Sequence, residues 1–483
     1  MQRGTLKGRL WLRSWQVNAR STTLFCAAHA VWLVCSGSDR LRDEVCTVPS
    51  MSDAAPSIVV RTLECGMTLC VEPMPGVRTV AVNWLIPAGH ATDAPTGLGH
   101  SALLAELIQR GAGDLDSRQL SDALDRVGEQ RAVASAASHI VFSGLSLGDR
   151  LSSSLGLVAS MIREPRMPED ALGAVQSLAL QNLESLTDDP QQLVGIRLRN
   201  RHMPEPFNRS GFGDAEAIRS ATIGQLREAW RERARPIGSI FSAAGAVDPD
   251  ALARDLDRLL KGWKGQGPMP QPIGERLGGS RHERDESNQT HIAMAFDAPT
   301  EIDPDTIRAR LAADVLGSGT SSRLFLEVRE RRGLCYSVAA GYAGGLHRGM
   351  CTIYAGSTPE RAQSTFDCIM DVVGKFESGV TADELRRAKT GLECRLIMAG
   401  ESTTSRASGI AGDFHRLGRC RSLQEIGAEV ASQTLEGVNE FIARRMGAAW
   451  RSTMTLCSIG REPLDAKGAV TSGPSEVVSL RAG

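Results

Sequence analysis

Two stretches of this chain carry the same order of helix and strand signals at a constant separation. Helix starts lie at Pro168–Leu172 and Thr381–Leu385, strand-like runs lie at Ser239–Gly245 and Ser452–Ser458, and the members of each pair are 213 positions apart. Proline is favoured in the first turn of a helix, and Thr381 with Glu384 has the spacing of a capping box. A repeat of this length is too long for a solenoid unit and predicts a duplicated domain.

The hydrophobic pattern of the first copy mixes two periods. Apolar residues alternate along Ile58–Val60, Thr68–Val71 and Val80–Ile86, which predicts strands bounded by turns such as the one at Gly66. From Leu98 to Arg110 the apolar residues recur on one helical face instead. Blocks of strands and helices in this order predict a layered α+β fold.

Composition divides the chain into five parts. Residues 262–287 combine glycine, proline and charge without periodicity, which predicts a linker. The linker separates a first half, residues 58–261, from a second half, residues 288–470. Residues 1–57 are an N-terminal extension, and residues 471–483 are a tail.

The overall charge and the cysteine content narrow the class of protein. The net charge is -1 and no long basic run interrupts the chain, which argues against a nucleic-acid-binding protein. The 11 cysteines include no C-x-x-C pair, so neither a disulfide framework nor a structural zinc site is indicated. Reduced thiols of this kind are typical of a cytoplasmic protein.

The N-terminal extension has two interpretations. It lacks acidic residues up to Ser38, and its apolar run Leu24–Cys35 is shorter than the ~20 residues of a transmembrane helix. In the first 38 residues a basic region, a short apolar region and small residues follow one another as in an export signal, which would place the protein outside the cytoplasm. Alternatively, translation begins at Met51 and the segment is an over-long start, which leaves the protein cytoplasmic.

The predicted strand-to-helix transition carries a recognisable motif. The segment Gly97–Leu104, with His100 at its centre, resembles the zinc-binding helix of the insulinase/pitrilysin peptidases, a family that includes the mitochondrial processing peptidase. The family motif is H-x-x-E-H, in which two histidines bind zinc and the glutamate is the general base. The resemblance implies two homologous two-layer halves with largely antiparallel sheets and helices on one face.

The motif is broken in this sequence. His100 matches the first histidine, but Leu103 occupies the position of the general base and Leu104 that of the second zinc ligand. Leucine neither binds metal nor transfers protons. His100 is therefore a vestigial ligand in this interpretation, and His90 and His139 have no spacing that would replace the lost groups.

The third zinc ligand of the family is a glutamate on a later helix. The resemblance places Gln181 and Asn182 at that position, before the turn at Asp188–Pro190. A neutral amide is a poor zinc ligand, so Glu184, one turn further along, is the candidate that could rescue the site. Zinc sites use about three protein ligands. We therefore expect the zinc of the family to be lost and assign no catalytic residue.

The second half keeps a family signature more fully. Residues Leu316–Val338 resemble the glycine-serine turn, the helix and the arginine–tyrosine pair that face the zinc site in the family. Arg329 and Tyr336 fall on those two positions. The resemblance implies that they bind the substrate backbone, and a guanidinium and a phenol are suitable donors to carbonyl oxygen.

These observations favour a non-catalytic zinc-peptidase homologue that binds peptide beside an active partner. The partner would be an active homologue in a heterodimer, or a second copy in a homodimer. Two alternatives stay open, an active zinc metalloendopeptidase with a shifted ligand set and a purely structural subunit. Activity of the chain alone is left open by the sequence.

Overall fold

The computed structural model describes residues 58–466 and 473–480. The N-terminal extension, with its two interpretations, lies outside the described residues, as do parts of the tail. Within the described ranges, no helix is both long enough and apolar enough to cross a bilayer.

The first half forms one large sheet with helices around it. Its strands are β1 Val59–Thr62, β2 Thr68–Pro73, β3 Thr79–Ile86, β4 Gly111–Ala112, β5 Leu115–Asp116, β6 Gln130–Ser135, β7 Ile140–Leu147 and β8 Ile240–Gly245. Its α-helices are α1 His100–Leu107, α2 Ser117–Arg126, α3 Leu151–Arg163, α4 Leu172–Glu184, α5 Pro190–His202, α6 Ala215–Ser220, α7 Ile223–Arg233 and α8 Pro249–Leu259. The first sheet has the order β1-β2-β8-β3-β7-β6, and its neighbours are antiparallel except β2 and β8.

The second half repeats this arrangement. Its strands are β9 Ser280–Arg284, β10 Thr290–Ala298, β11 Cys335–Ala343, β12 Gly349–Ser357, β13 Thr455–Gly460 and β14 Ser475–Ser479. Its α-helices are α9 Thr306–Gly317, α10 Ala362–Phe376, α11 Ala382–Gly400, α12 Thr403–Leu417, α13 Leu423–Ser432, α14 Leu435–Arg445 and α15 Ala448–Arg451, and a π-helix spans Phe325–Arg331. The second sheet has the order β11-β12-β10-β13-β9-β14, in which β9 is parallel to both β13 and β14.

Two strands of the second sheet come from segments that composition assigns to the linker and the tail. Residues 280–284 form β9, and residues 475–479 form β14 beside it. Charged side chains hold these strands together, since Arg281 donates to Glu283 and to Glu476. The charged and turn-forming residues of residues 262–287 predict an exposed linker. In the structure, residues 280–284 form a strand instead, because they pair with β13.

The predicted α+β fold with largely antiparallel sheets is confirmed. In the first sheet Trp84 of β3 lies between Phe142 of β7 and Phe241 of β8, and all three side chains are fully buried. In the second sheet Met294 of β10 lies between Ile353 and Leu456 in the same way. Each row faces the helices of its own half, so each half has its own hydrophobic core.

Each half lends one helix to the sheet of the other. Helix α12, from the second half, packs on the free face of the first sheet, where Ala407 contacts Ala81 and Ala244. Helix α5, from the first half, packs on the free face of the second sheet through Leu193, Val194 and Leu198. We call α5 and α12 the exchanged helices. Because each covers apolar surface that would otherwise face water, the exchange ties the two halves into one unit.

Candidate functional site

One buried carboxylate holds the loop that precedes α1. Asp93 accepts hydrogen bonds from the backbone N–H groups of Gly99 and Ser101, at 3.1 Å each, and from the Ser101 hydroxyl at 2.7 Å. Arg233 of α7 forms an ion pair with it at 2.7 Å. A carboxylate at a helix N-terminus satisfies free N–H groups and interacts favourably with the helix dipole. The start of α1 is therefore fixed by Asp93.

His100 is the first residue of α1, and it is buried. Its ring lies against Gly97 so closely that a methyl group there would come within 2.8 Å of the imidazole. Burial lowers the pKa of His100 below its usual range; Asp93 acts in the opposite direction, and Arg233 lowers the pKa further. The imidazole is therefore neutral near neutral pH, which is the form that binds metals.

Leu103 and Leu104 follow on the same helix and are completely buried. Both belong to the hydrophobic core of the first half, together with Trp84 and Leu107. The positions that hold a proton-transferring group and an imidazole in the H-x-x-E-H motif are thus core positions here. Both leucines contribute packing to that core.

The other candidate ligands do not complete a metal site. Glu184 is exposed at the end of α4, as are Gln181 and Asn182, although α4 itself packs against α1. Across residues 58–466 and 473–480, no group of three His, Cys, Asp or Glu side chains is arranged to hold a metal ion. A zinc site uses about three such ligands, so the side chains present do not fit zinc.

Two other histidines of the first half, His90 and His139, have structural surroundings. His139 lies edge-to-face against His415 of α12, with 4.6 Å between the ring centroids, and its Nε2 is 3.3 Å from the carbonyl oxygen of Gly238. Burial lowers the pKa of His139 to about 3 and that of His90 to about 4. His139 therefore joins the first sheet to an exchanged helix.

Arg329 lies on the exposed side of the π-helix. Its guanidinium carbon is 4.8 Å from the centroid of the Phe325 ring, a cation–π contact. In the described part of the chain no hydrogen bond or ion pair occupies its donors. A π-helical turn is rare and often marks a functional site, and here it leaves this guanidinium available to a ligand.

Tyr336 is the extra residue of a β-bulge at the start of β11. Cys335 pairs with Ser357 and Ser337 pairs with Gly356, so Tyr336 has no opposite residue on β12. Its side chain is 64% exposed, and no described residue hydrogen-bonds to it. Bulges change the direction of a side chain and are common beside binding sites. The π-helix packs against β11, so Arg329 and Tyr336 lie on neighbouring elements.

The edge strand β6 is a feature that the sequence pattern did not reveal. It ends the first sheet and packs against α1. Its outward residues are small or polar, with Gln130, Ala132 and Ala134 exposed. An edge strand presents backbone N–H and C=O groups that can pair with another extended chain. The alternation at 130–135 is visible in the sequence, but its place at the edge is not.

Comparison with known proteins agrees with this geometry. A family described as the peptidase M16 inactive domain matches residues 220–392. An uncharacterized zinc protease of Mycobacterium tuberculosis is 28% identical over 418 residues, which cover 83% of this chain and 94% of that protein. The crystal structure of a peptidase M16 inactive domain from Pseudomonas fluorescens has a TM-score of 0.75 and 22% identity, and covers 85% of this chain and 99% of that chain.

The chain is a homologue of M16-family zinc proteases and contains the M16 inactive domain at residues 220–392. The fold also resembles that of a chain in complex III2 from Candida albicans, with a TM-score of 0.71, 17% identity and coverage of 84% of this chain and 96% of that chain. Within this M16 homologue the family match includes Arg329 and Tyr336 and leaves out the α1 segment.

The structure separates the predicted site residues of this M16 homologue into two groups. His100, Leu103 and Leu104 lie in the helix layer of the first sheet, whereas Arg329 and Tyr336 lie beside the second sheet. Among the described residues no hydrogen bond links the two groups. Sequence reasoning missed Asp93, because it lies six residues before Gly99, the N-cap of α1, and local capping patterns do not extend over that distance.

Proposed function

We propose that this M16 protein is a non-catalytic homologue that binds peptides and assembles with an active family member. The observation that carries the proposal is the complete burial of Leu103 and Leu104 at the positions of the general base and the second zinc ligand. Without those groups the chain has no means of activating a water molecule on a metal. Its contribution to proteolysis is therefore binding and assembly.

The free edge of β6 supports a mode of peptide binding. An extended peptide that pairs with β6 would add a strand to the first sheet, and main-chain hydrogen bonds would supply affinity with little dependence on sequence. The small exposed side chains of Ala132 and Ala134 leave room for that strand. Helix α1 packs on the same strand, so the peptide would pass beside the vestigial His100.

Arg329 and Tyr336 supply the second part of the proposed peptide site. Both side chains are exposed, and their donors have no hydrogen-bond partner among the described residues. A guanidinium can bind a carbonyl or carboxylate through two parallel hydrogen bonds, and a phenol can donate to the same class of oxygen. We propose that they bind the backbone of a peptide that is cleaved at the zinc of a partner.

The proposed partner is an active M16 peptidase, and the alternative is a second copy of this chain. The relative from Mycobacterium tuberculosis is named a zinc protease, which supports a place for this chain in proteolysis. Co-purification tests the assignment. A tagged chain should retain a protein with an intact H-x-x-E-H motif, whereas a monomer or a homodimer without such a protein would contradict the heteromeric assembly.

Metal analysis separates the proposal from the active-peptidase alternative, which requires His100 and Glu184 to bind zinc with a further group. The purified chain should contain zinc far below one ion per chain and should not cleave an unstructured peptide. Stoichiometric zinc together with chelator-sensitive cleavage would establish the shifted ligand set instead. The purified partner, assayed in parallel, is the positive control.

A purely structural subunit is the second candidate. The similarity to a chain of complex III2 favours it, because the fold also occurs in that assembly. In this case peptide would not bind at β6 or at Arg329, and the chain would act only through its contacts with other subunits.

We place the protein in the cytoplasm, as the eight free cysteines of the described residues support.

A further inference from the structure

Cys70 is a fully buried thiol on the face of the first sheet that α12 covers. It lies in β2 opposite Ser242 of β8, whose hydroxyl donates to the carbonyl oxygen of Ala407 in α12 at 2.8 Å. Its side chain packs in an apolar cluster with Leu85 of β3 and Ile410 of α12. Cys70 is therefore a contact between the first sheet and an exchanged helix.

Cys420 lies shortly after the end of α12 and is partly exposed. Gly418, in the left-handed conformation, ends the helix and turns the chain back toward the first sheet. The Cys420 thiol then packs on the same apolar cluster as Cys70, and it donates to the carbonyl oxygen of Ile410 at 3.4 Å. The next residue, Arg421, is fixed by Asp413 at 2.8 Å.

We propose that Cys70 and Cys420 form an oxidisable dithiol, which a low-molecular-weight disulfide converts into a disulfide bond that fixes α12 to the first sheet. The two thiols pack on one apolar cluster where α12 meets the first sheet, and Cys420 is partly accessible to solvent. Intramolecular disulfides require such pre-existing proximity. In a reducing compartment a bond of this kind is transient and reports the redox state.

The reaction follows thiol–disulfide exchange. Because Cys420 is partly exposed and Cys70 is fully buried, the thiolate of Cys420 is the attacking group. Its sulfur bonds to one sulfur of the small disulfide, the S–S bond of that reagent breaks, and one reagent thiolate leaves. The Cys70 thiol then loses its proton and attacks the Cys420 sulfur, which expels the second reagent thiolate. Two cysteine thiols are oxidised, and one small disulfide is reduced to two thiols.

The bond would connect positions that are far apart in the chain. A cross-link between Cys70 and Cys420 closes a loop of some 350 residues and restricts the unfolded chain more strongly than a short loop would. It also prevents α12 from leaving the first sheet. We therefore expect oxidation to raise the Tm and to protect the exchanged helix from proteolysis.

Mass spectrometry of the full chain tests the proposal directly. The protein is incubated with oxidised glutathione in a Cys394→Ser background, because Cys394 is exposed, and is then alkylated and digested. We expect a linked pair of peptides in which fragment ions assign Cys70 rather than Cys65, together with a Tm that rises and returns on reduction. Recovery of Cys70 and Cys420 as separately alkylated residues, or of a stable glutathione adduct at Cys420, would overturn the proposal.

Variants give an independent comparison. Cys420→Ser should abolish both the linked peptides and the rise in Tm. Cys351→Ser should leave both unchanged, since Cys351 is buried and only burial raises the pKa of its thiol, to about 12. Because the peptide map is obtained on the unsubstituted pair, a variant that fails to fold leaves the test intact. A rise in Tm on oxidation that persists in Cys420→Ser would contradict the assignment.

Discussion

Arg406 of α12 and Glu72 of β2 form a buried ion pair, with 2.7 Å between Nη2 and Oε2. Both side chains are inaccessible to solvent over more than nine-tenths of their surface. Glu72 points to the same face of β2 as Cys70, since residues two apart on a strand share a face. The pair therefore joins an exchanged helix to the sheet of the other half at a position that is shielded from solvent.

Removing one member of this pair should destabilise the whole molecule. Arg406→Ala leaves the Glu72 carboxylate buried without its partner, and we expect a loss of about 3–5 kcal/mol in the free energy of unfolding. The measurement is urea denaturation. The matched control is Arg419→Ala, whose partner Glu425 is exposed, and its loss should be about 1 kcal/mol or less. Equal losses in both variants would show that burial of the pair has no special effect.

The role of Leu103 in packing can be measured separately. Leu103→Ala leaves a cavity in the core of the first half, and we expect it to lower the free energy of unfolding by about 2–5 kcal/mol. Leu103→Met keeps the volume and should cost less than about 1.5 kcal/mol. A negligible effect of Leu103→Ala would mean that this position is open to a ligand, as in an active peptidase.

Arg329 and Tyr336 should affect binding and leave stability unchanged. Because neither side chain has a hydrogen-bond partner in the described part of the chain, Arg329→Ala and Tyr336→Phe should leave the Tm within about 2 °C of the parent value. In the presence of an active partner, Arg329→Ala should reduce kcat/KM by about tenfold, or ~1.4 kcal/mol of transition-state stabilisation. Arg332→Ala, an exposed neighbour, is the control for charge.

An unchanged partner rate in Arg329→Ala and Tyr336→Phe would favour the purely structural subunit. A reduced rate in Arg332→Ala of the same size would mean that net charge, and not the position of Arg329, is responsible. Direct peptide binding, followed by fluorescence anisotropy, separates these effects from changes in assembly.

Buried histidines predict a loss of stability in mild acid. Burial lowers the pKa of His139 to about 3 and that of His415 to about 4, against 6.5 for an ordinary histidine. Below about pH 6.5 these histidines are protonated in the unfolded chain but remain neutral in the folded chain. Their contribution to the free energy of unfolding is therefore complete above that pH and is lost as the pH falls toward 4. For His139 alone we expect about 2 kcal/mol to be lost between about pH 7 and pH 5.

The histidine variant His139→Gln should remove part of this pH dependence. Glutamine keeps a donor for the carbonyl oxygen of Gly238 and does not titrate, so the slope of stability against pH should flatten. The double variant His139→Gln/His415→Gln should flatten it further. Urea denaturation at a series of pH values is the measurement, and a slope identical to that of the parent would refute the assignment to these residues.

The two halves, expressed as separate fragments, should need each other in order to fold. The segment around Met269 and Ile273 is exposed, so a chain break there leaves the sheets intact. Each fragment alone lacks the exchanged helix that covers its sheet, and should aggregate or remain without fixed tertiary structure. Co-expressed fragments should form a soluble 1:1 complex. Two fragments that fold independently, with resolved spectra of their own, would contradict the exchange.

Local patterns of the sequence predicted the elements that depend on neighbouring residues. The alternation at Val80–Ile86 predicted β3, and the Thr381–Glu384 capping box predicted the start of α11, which begins one residue later. The break in the motif at Leu103 and Leu104 was also visible, because side-chain chemistry is a property of the residue. Hydrophobic period, capping and chemistry act over a few positions, and the sequence states them directly.

Only the tertiary structure decided which surfaces meet. The apolar stripe of α12 shows that one face is buried, but it does not say that the first sheet, more than 150 positions earlier in the chain, is its partner. The edge position of β6 and the packing of Cys70 and Cys420 on one apolar cluster are also decided by long-range packing. Hydrophobic burial is non-directional, so the sequence determined how much surface must be covered and the packing of the whole chain determined what covers it.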